Sequence, residues 1–288
     1  MANSASQAKP KANIWKRVFR VVVILFTGYA LLTLLVMFFQ RRLIYFPTKL
    51  TLNLAKSAAA KGGFQPWRNA AGQIVGWYLP ATSPSTGAVL IVHGNAGSAV
   101  DRDYLAKPIR DAGNTDVFVL EYPGYGARDG APSQESILAA ADEALTLLSN
   151  RTPIYVVSES IGAGAATHLA RKHDNQIAGL MLLVPYDNLA SVAQKQMPLF
   201  PVSLLLWDRF NPAEWLKDYR GPVGVVVAGA DQVIPPEFGR RLHDGYAGPK
   251  RLQIIPGAGH NDVAGQPPDW WKEVFSFWQQ NGGNADGR

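Results

Sequence analysis

The stretch Ile154–Gly164, with the sequence IYVVSESIGAG, decides how the rest of the chain is interpreted. Its first four residues are β-branched or aromatic, which is typical of a strand covered on both faces. Ser158 and Gly162 then lie two positions before and after Ser160. A nucleophile on a sharp strand-to-helix turn needs small neighbours, because the chain there passes close to adjacent strands. The stretch therefore predicts a nucleophilic Ser160, with an ordinary turn serine as the alternative.

Short apolar strands alternate with helical segments on both sides of this stretch. The strands are predicted at 74–79, 88–92, 117–120, 154–157, 178–184, 223–228 and 252–255. The main helices are predicted at 103–112, 133–148, 162–173, 236–246 and 269–280. This alternation indicates a mostly parallel sheet flanked by helices, that is, an α/β fold. The first strand is expected to belong to an antiparallel opening pair.

Three polar side chains follow predicted strands in the order serine, aspartate, histidine. Ser160, Asp231 and His260 each come shortly after a strand, and the carboxyl ends of parallel strands meet at one edge of a sheet. This is the chain order expected for a Ser–His–Asp triad on such a sheet. The imidazole would take the serine proton, and the carboxylate would fix its tautomer. Asp187 is left open as the alternative acid, and Ser158 as the alternative nucleophile.

The reaction also needs hydrogen-bond donors for the oxyanion that forms on the substrate. We expect them to be the backbone N–H groups of Ile161, directly after the nucleophile, and of Asn95, in the turn after the strand at 88–92. Glu121 and Tyr122 are expected to structure the neighbouring loop.

The sequence predicts neither a cofactor nor a metal. It has no HExxH motif or His-rich cluster, and its Gly-rich YPGYG loop lacks the spacing of a dinucleotide site. It also has no Cys, which excludes disulfides and thiol catalysis.

Basic residues are concentrated at the N-terminus. The first 50 residues contain eight of the 28 Lys and Arg residues and no acidic residue. The other 238 residues have 20 basic and 22 acidic side chains, so the net charge of +6 originates in the N-terminal segment. No basic patch in the remainder favours nucleic acid as a partner.

An uncharged apolar run of 19 residues, Val21–Phe39, follows the basic N-terminus. About 20 apolar residues span a bilayer as a helix, so we predict a transmembrane signal anchor at 18–40. A cleaved signal peptide is the alternative, although the run is long and no small-x-small cleavage site follows it. Five basic residues precede the run and three follow it, which favours a single-pass membrane protein with a cytoplasmic N-terminus and an extracytoplasmic body.

Composition divides the chain into segments. We predict a disordered basic N-terminus at 1–17, the transmembrane helix at 18–40, the catalytic domain at 41–281 and a disordered tail at 282–288. Residues 186–221 interrupt the alternation of strands and helices. We interpret them as a small inserted lid over the sheet, because they contain the apolar piece Met197–Trp207.

Several motifs together make the chain resemble the α/β-hydrolase superfamily, and within it the serine-aminopeptidase-like branch that includes membrane-anchored abhydrolase-domain lipases and depalmitoylases. These motifs are LIYFP (43–47), HGNAGS (93–98), YPGYGARDG (122–130), SESIGAG (158–164), LLLWDRFNP (204–212), GADQVIPP (229–236) and PGAGHND (256–262). The resemblance implies an α/β-hydrolase fold and a serine hydrolase with Ser160, Asp231 and His260 as its triad. Ser158 departs from the pattern where the first Gly of the turn is usual, and Ala127 where Ser or Arg is common.

The expected function is that of a membrane-anchored serine hydrolase that cleaves an ester or thioester of an acyl or lipid-like substrate through an acyl-serine intermediate. The alternatives are a peptidase or amidase that uses the same triad, and a non-catalytic membrane scaffold. The expected partners are the bilayer, through the N-terminal helix, and a small-molecule substrate. No obligate protein partner is indicated.

Overall fold

The structure is a computed structural model that describes residues 12–282. The predicted disorder of residues 1–11 and 283–288 lies outside the described residues. The chain divides into two compact units, Met1–Gln40 and Arg41–Arg288.

The first unit consists, in its described part, of the long helix α1, Ala12–Ile44, whose last turn belongs to the second unit. The helix begins at Ala12, so the prediction of disorder at 12–17 was wrong. Residues 12–17, ANIWKR, contain good helix formers and neither Gly nor Pro. By length and composition, Ile14–Ile44 is the one helix among residues 12–282 that could cross a membrane, with an 18-residue window of mean hydropathy 2.6. A signal sequence would meet the same criterion.

Eight strands of the second unit form one sheet. In chain order they are β1 Gln65–Arg68, β2 Ile74–Leu79, β3 Ala88–Val92, β4 Asp116–Leu120, β5 Ile154–Glu159, β6 Ile177–Leu183, β7 Val223–Ala228 and β8 Lys250–Ile255. Their order across the sheet is β8-β7-β6-β5-β3-β4-β2-β1. Strand β2 is antiparallel to both of its neighbours, and all other pairs are parallel. The predicted mostly parallel sheet is therefore confirmed.

Helices cover both faces of the sheet. After α1 they are α2 Leu52–Gly62, α3 Asp103–Gly113, α4 Gln134–Leu147, α5 Gly162–Lys172, α6 Leu189–Gln196, α7 Val202–Leu205, α8 Pro212–Trp215, α9 Pro236–Gly245 and α10 Pro268–Gly282. One apolar core lies between the sheet and α4, α5 and α9, and the other between the sheet and α2, α3 and α10. Side chains of β3 alternate between the two cores, which is why this central strand is apolar throughout.

Two short elements were missed by sequence analysis. Strand β1 has the sequence QPWR, and a parallel pair joins Phe46–Pro47 to Ala96–Gly97. These segments are too short or too polar for a two-residue period of hydrophobicity to be visible. The pair connects the chain just after α1 to the turn that follows β3, and it therefore matters for the site.

The insertion at 186–221 contains α6, α7, α8 and a 3-10 turn, Leu216–Asp218. It is attached to the body through Phe210, which is buried and packs against α5. A Cβ on Gly164 of α5 would lie 2.3 Å from the Phe210 ring, so the small residue at 164 makes room for this contact.

A similar close approach fixes α10 on the sheet and can be tested. A Cβ on Gly179 of β6 would lie 2.4 Å from Cδ1 of Trp278, whose side chain is fully buried and whose indole N–H donates to the carbonyl of Leu180 at 3.1 Å. We expect Gly179→Ala to lower the free energy of unfolding by roughly 1–3 kcal/mol, because neither the backbone nor the indole can move freely. Thermal unfolding in detergent measures this change.

The matched control is Gly245→Ala at the end of α9, where an added Cβ would have nothing within 4 Å. This variant should be as stable as the wild type or slightly more stable. Equal effects of the two substitutions would show that the contact between Trp278 and β6 is not tight.

Candidate active site

Ser160 lies on the sharp turn between β5 and α5, with a backbone φ of 50°. A left-handed conformation is unfavourable for a residue with a Cβ and persists only where the surroundings enforce it. Here the N–H of Ser160 donates to the carbonyl of Leu183 at 2.9 Å. On the other side of the turn, a Cβ on Gly162 would lie 2.2 Å from the carbonyl oxygen of Val92. The turn can therefore form only because residue 162 is Gly.

The structure brings together the three side chains that were predicted to form a triad. His260 Nδ1 is 2.7 Å from Asp231 Oδ2, and His260 Nε2 is 3.1 Å from Ser160 Oγ. A carboxylate only accepts hydrogen bonds, so Nδ1 carries the proton and Nε2 is left to accept the serine hydroxyl proton. All three come from loops at the carboxyl ends of parallel strands β5, β7 and β8.

Asp231 is held in place by its own loop. Its Oδ1 accepts the backbone N–H groups of Val233 and Ile234, both at 2.8 Å, which leaves Oδ2 for His260. The residue is only 5% exposed. A buried carboxylate that accepts three hydrogen bonds keeps a single orientation, which allows it to orient the imidazole of His260.

The two predicted oxyanion donors also lie near Ser160. Within residues 12–282, neither the N–H of Ile161 nor that of Asn95 donates to a protein acceptor. Two hydrogen bonds from other segments hold the turn that carries Asn95. The carbonyl oxygen of Asn95 accepts the N–H of Phe46 and the hydroxyl of Tyr125, both at 2.8 Å. A Cβ on the preceding Gly94 would be 3.8 Å from the Cβ of Ser160, so the turn passes directly beside the nucleophile.

Arg102, which sequence analysis missed, lies between the two loops that hold these donors. Its Nε forms an ion pair at 2.8 Å with Oε2 of Glu159, the residue before Ser160. Its Nη2 donates at 2.7 Å to the carbonyl of Ala96, the residue after Asn95. Arg102 and Glu159 are both buried. One guanidinium therefore fixes the distance between the nucleophile turn and the turn after β3.

The alternative site residues are placed elsewhere. Asp187 accepts hydrogen bonds from Nε of Arg241 at 2.7 Å and from the N–H of Asn188, whereas within residues 12–282 the carboxylate bonded to His260 Nδ1 is that of Asp231. Ser158 is fully buried in β5, and its hydroxyl has no hydrogen-bond partner within the described residues. Neither residue is in a position to replace Asp231 or Ser160.

Glu121 lies beneath the turn after β3 and is fully buried, as is His93. One oxygen of Glu121 accepts the N–H of Ala99 at 2.9 Å, and the other accepts the indole N–H of Trp77 at 3.3 Å. It therefore structures this loop, as expected. Burial raises the pKa of Glu121 to about 7, although both hydrogen bonds act in the opposite direction. Burial, together with Arg102, lowers the pKa of His93 well below its ordinary value.

Among residues 12–282, no group of three or more His, Cys, Asp or Glu side chains could hold a metal ion. The chemistry that the arrangement can perform uses protein groups: a hydroxyl, an imidazole that accepts its proton, a carboxylate and two backbone donors. This is the set of groups that acyl transfer requires.

Known proteins are similar to this chain in sequence and in fold. A family model described as alpha/beta hydrolase fold matches residues 87–210. The chain is 36% identical over 230 residues to an uncharacterised protein of Mycobacterium tuberculosis, an alignment that covers 77% of this chain and 81% of that protein. The chain belongs to the α/β-hydrolase family. The predicted fold class and family are thereby confirmed.

Other α/β-hydrolases are more distant. The lysophosphatidylserine lipase ABHD12 of Macaca fascicularis is 29% identical over 217 residues, which cover 66% of this chain and 54% of that protein. An esterase of Pyrococcus furiosus superposes with a TM-score of 0.60 at 15% identity, over 83% of this chain and 97% of the esterase, which shows a common fold. The fold and these relatives support a hydrolase.

The raised pKa of Glu121 makes stability depend on pH. Between the ordinary value of 4.5 and about 7, the folded chain keeps a proton that the unfolded chain has lost. Stability therefore falls as the pH rises through this window and is level above it. Glu121→Gln mimics the protonated acid and should remove this fall, so the variant gains roughly 3 kcal/mol relative to wild type between about pH 4 and pH 8. Denaturant unfolding at several pH values measures the difference.

His93 Nε2 lies 4.0 Å from Glu121 Oε1, and burial keeps the pKa of His93 well below its ordinary value, so we expect a neutral imidazole beside either side chain in the folded chain. The control is Glu273→Gln, because the Glu273 side chain is 70% exposed. This variant shows what the loss of one exposed carboxylate does to stability, against which the buried substitution is compared. A pH-independent difference for Glu121→Gln would contradict a protonated Glu121 in the folded chain.

Proposed function

We propose that this α/β-hydrolase is a serine hydrolase, with Ser160 as nucleophile, His260 as general base and Asp231 as the group that orients and stabilises the imidazole. One observation carries the proposal: a continuous hydrogen-bonded chain runs from Asp231 Oδ2 through His260 to Ser160 Oγ, with distances of 2.7 and 3.1 Å. The strained turn supports it, because such strain is typical of a nucleophile.

In the first half of the reaction, Ser160 Oγ attacks the carbonyl carbon of the substrate while its proton passes to Nε2 of His260. The negative charge that develops on the carbonyl oxygen is stabilised by the N–H groups of Asn95 and Ile161. The imidazolium, stabilised by Asp231, then gives its proton to the leaving alkoxide or thiolate. An acyl group remains bound to Ser160 as an ester.

In the second half, His260 is neutral again and takes a proton from water. The resulting hydroxide attacks the acyl carbon, and the same two backbone donors stabilise the second oxyanion. His260 returns the proton to Ser160 Oγ, and the carboxylic acid leaves.

We further propose that α1 anchors the protein in a membrane and that the substrate is an acyl ester or thioester of lipid-like character. The length and hydropathy of Ile14–Ile44 support the anchor. The relative ABHD12, named a lysophosphatidylserine lipase, supports the substrate class. The exposed side chains of Leu199 and Leu204, which are 80% and 76% exposed, are consistent with an apolar ligand or surface near the insertion.

Reaction with a fluorophosphonate probe tests the catalytic groups. We expect Ser160→Ala to abolish labelling and His260→Ala to slow it by roughly a thousandfold, because the hydroxyl is a poor nucleophile without its base. In-gel fluorescence over time measures the labelling rate.

The matched control is Ser158→Ala, two residues before the nucleophile. It should be labelled at the wild-type rate and should be at least as stable, because a buried hydroxyl without a partner is unfavourable. Loss of labelling in Ser158→Ala but not in Ser160→Ala would reject the assignment of the nucleophile.

The substrate class is tested by the product released. With lysophosphatidylserine in mixed micelles, the wild type should release fatty acid and Ser160→Ala should release none, because only an acyl-Ser160 route leads to this product. Mass spectrometry of the free fatty acid provides the measurement. Release of amino acids from peptides, with no fatty acid from any long-chain ester, would favour an amidase on the same triad.

A further inference from the structure

Two of the contacts that join the insertion to the rest of the chain lie at the two ends of one apolar piece. One lies beside Asp231, and the other lies beside Arg41, the second residue after the uncharged run Val21–Phe39. Between them are residues 197–207, which we call the bridging segment. This segment therefore lies between a contact with the loop of Asp231 and a contact with Arg41, where the predicted membrane helix ends.

At the first place, the side chain of Gln196 reaches the loop that carries Asp231. Its Nε2 donates to the carbonyl oxygens of Gln232 and Val233, both at 2.9 Å. The N–H of Val233 is one of the two donors that hold Oδ1 of Asp231. The start of the bridging segment is therefore two hydrogen bonds away from the carboxylate that contacts His260.

At the second place, the carboxylate of Asp208 is nearly fully buried and accepts three hydrogen bonds. Two come from the guanidinium of Arg41, at 3.1 and 3.2 Å, and one comes from the hydroxyl of Tyr45, at 3.0 Å. The guanidinium of Arg41 also lies 5.8 Å from the centre of the Trp207 ring. The end of the bridging segment is therefore attached to the residues that directly follow the apolar run.

This attachment sets the depth of the segment relative to a bilayer. Arg that follows a membrane-spanning helix places its charge among the lipid head groups, and Trp is enriched at the same depth. Trp207, close to Arg41, then lies at the membrane interface. It is 49% exposed, and Leu204 and Leu199 in the same segment are 76% and 80% exposed. Apolar exposure of this extent is typical of a membrane-contacting surface.

We propose that the bridging segment lies in the outer part of the bilayer and is the entry for an acyl chain, which leaves the lipid layer along residues 197–207 and reaches Ser160. The proposal rests on the proposed function, because it takes α1 as the anchor and an acyl group as the substrate. The partner of the apolar surface of this segment is the bilayer in which α1 is embedded.

The absence of Cys from the chain allows a direct test. Leu204→Cys introduces a single thiol, which is labelled with an environment-sensitive fluorophore in the full-length protein in phospholipid nanodiscs. The emission should shift to the blue, and lipids with a quencher on the acyl chain should reduce it by roughly half or more, because the probe then lies among acyl chains. The matched control is Ser149→Cys, an exposed position just before the amino end of β5, at the edge of the sheet opposite Ser160. Equal quenching of the two probes would overturn the proposal.

A second experiment tests the entry of substrate. Leu199→Glu with Leu204→Glu should lower hydrolysis of a long-chain lysophospholipid in nanodiscs by roughly tenfold or more, because charged side chains are unfavourable in the acyl region. Hydrolysis of a short water-soluble ester should change less than roughly twofold, since neither residue belongs to the hydrogen-bonded chain of Ser160, His260 and Asp231. Equal loss on both substrates would overturn the entry role.

The two experiments separate this proposal from the proposed function. If the wild type is not labelled by a fluorophosphonate, the serine-hydrolase proposal fails, whatever the fluorescence of Leu204→Cys shows. If labelling and short-ester hydrolysis are normal but the Leu204→Cys probe is not quenched, only the bridging-segment proposal fails.

Discussion

The left-handed backbone of Ser160 is the constraint on which the arrangement of the site depends. A φ of 50° at a residue with a Cβ is unfavourable by about 1–2 kcal/mol, and the surrounding strands must supply this free energy. They do so through the bond from the Ser160 N–H to Leu183 and through the close passage of Gly162 over the carbonyl of Val92. Both contacts come from neighbouring strands in the centre of the sheet, so the two cores stabilise the orientation of the hydroxyl.

The second requirement is that the turn after β3, which carries the N–H of Asn95, stays at a fixed distance from Ser160. Arg102 links the two turns through Glu159 and Ala96, and Glu121 holds the backbone of the same turn from below. Charged groups in such positions are unfavourable unless they are paired. The Arg102–Glu159 pair meets this condition. Glu121 has two hydrogen-bond donors, and Arg102 also lowers its pKa, but burial outweighs these effects and raises the pKa to about 7. The hydrogen bonds of Arg102 and Glu121 thus fix the position of the loop, although the burial of Glu121 lowers the stability of the folded chain.

The sequence was sufficient to predict the sheet and to place Ser160, Asp231 and His260 near one another. Apolar strands have a strong local signal, and each of the three residues directly follows such a strand, so chain order alone brought them to one edge. Arg102 and Asp208 could not be found in this way. Arg102 precedes an ordinary amphipathic helix, and its partners, at 96 and 159, are defined only by tertiary packing. The partner of Asp208 is 167 residues away in the chain. The start of α1 at Ala12 is hard to recognise, because Lys16 and Arg17 continue the basic composition of the preceding residues and only helix propensity marks the segment.

The burial of Asp208 is informative because it is a poor way to stabilise a fold. The side chain of Asp208 is 3% exposed and that of Arg41 is 46% exposed, so the desolvation cost of this ion pair falls mainly on the carboxylate. An apolar contact at this place would, however, allow the insertion to slide over the end of α1, since apolar packing has little directional preference. Two hydrogen bonds from a planar guanidinium and one from Tyr45 allow a single orientation. Arg41 thus fixes the end of the bridging segment, while Gln196, directly before that segment, fixes its beginning beside Asp231. A displacement of the last turn of α1 would therefore be transmitted to the loop that orients His260.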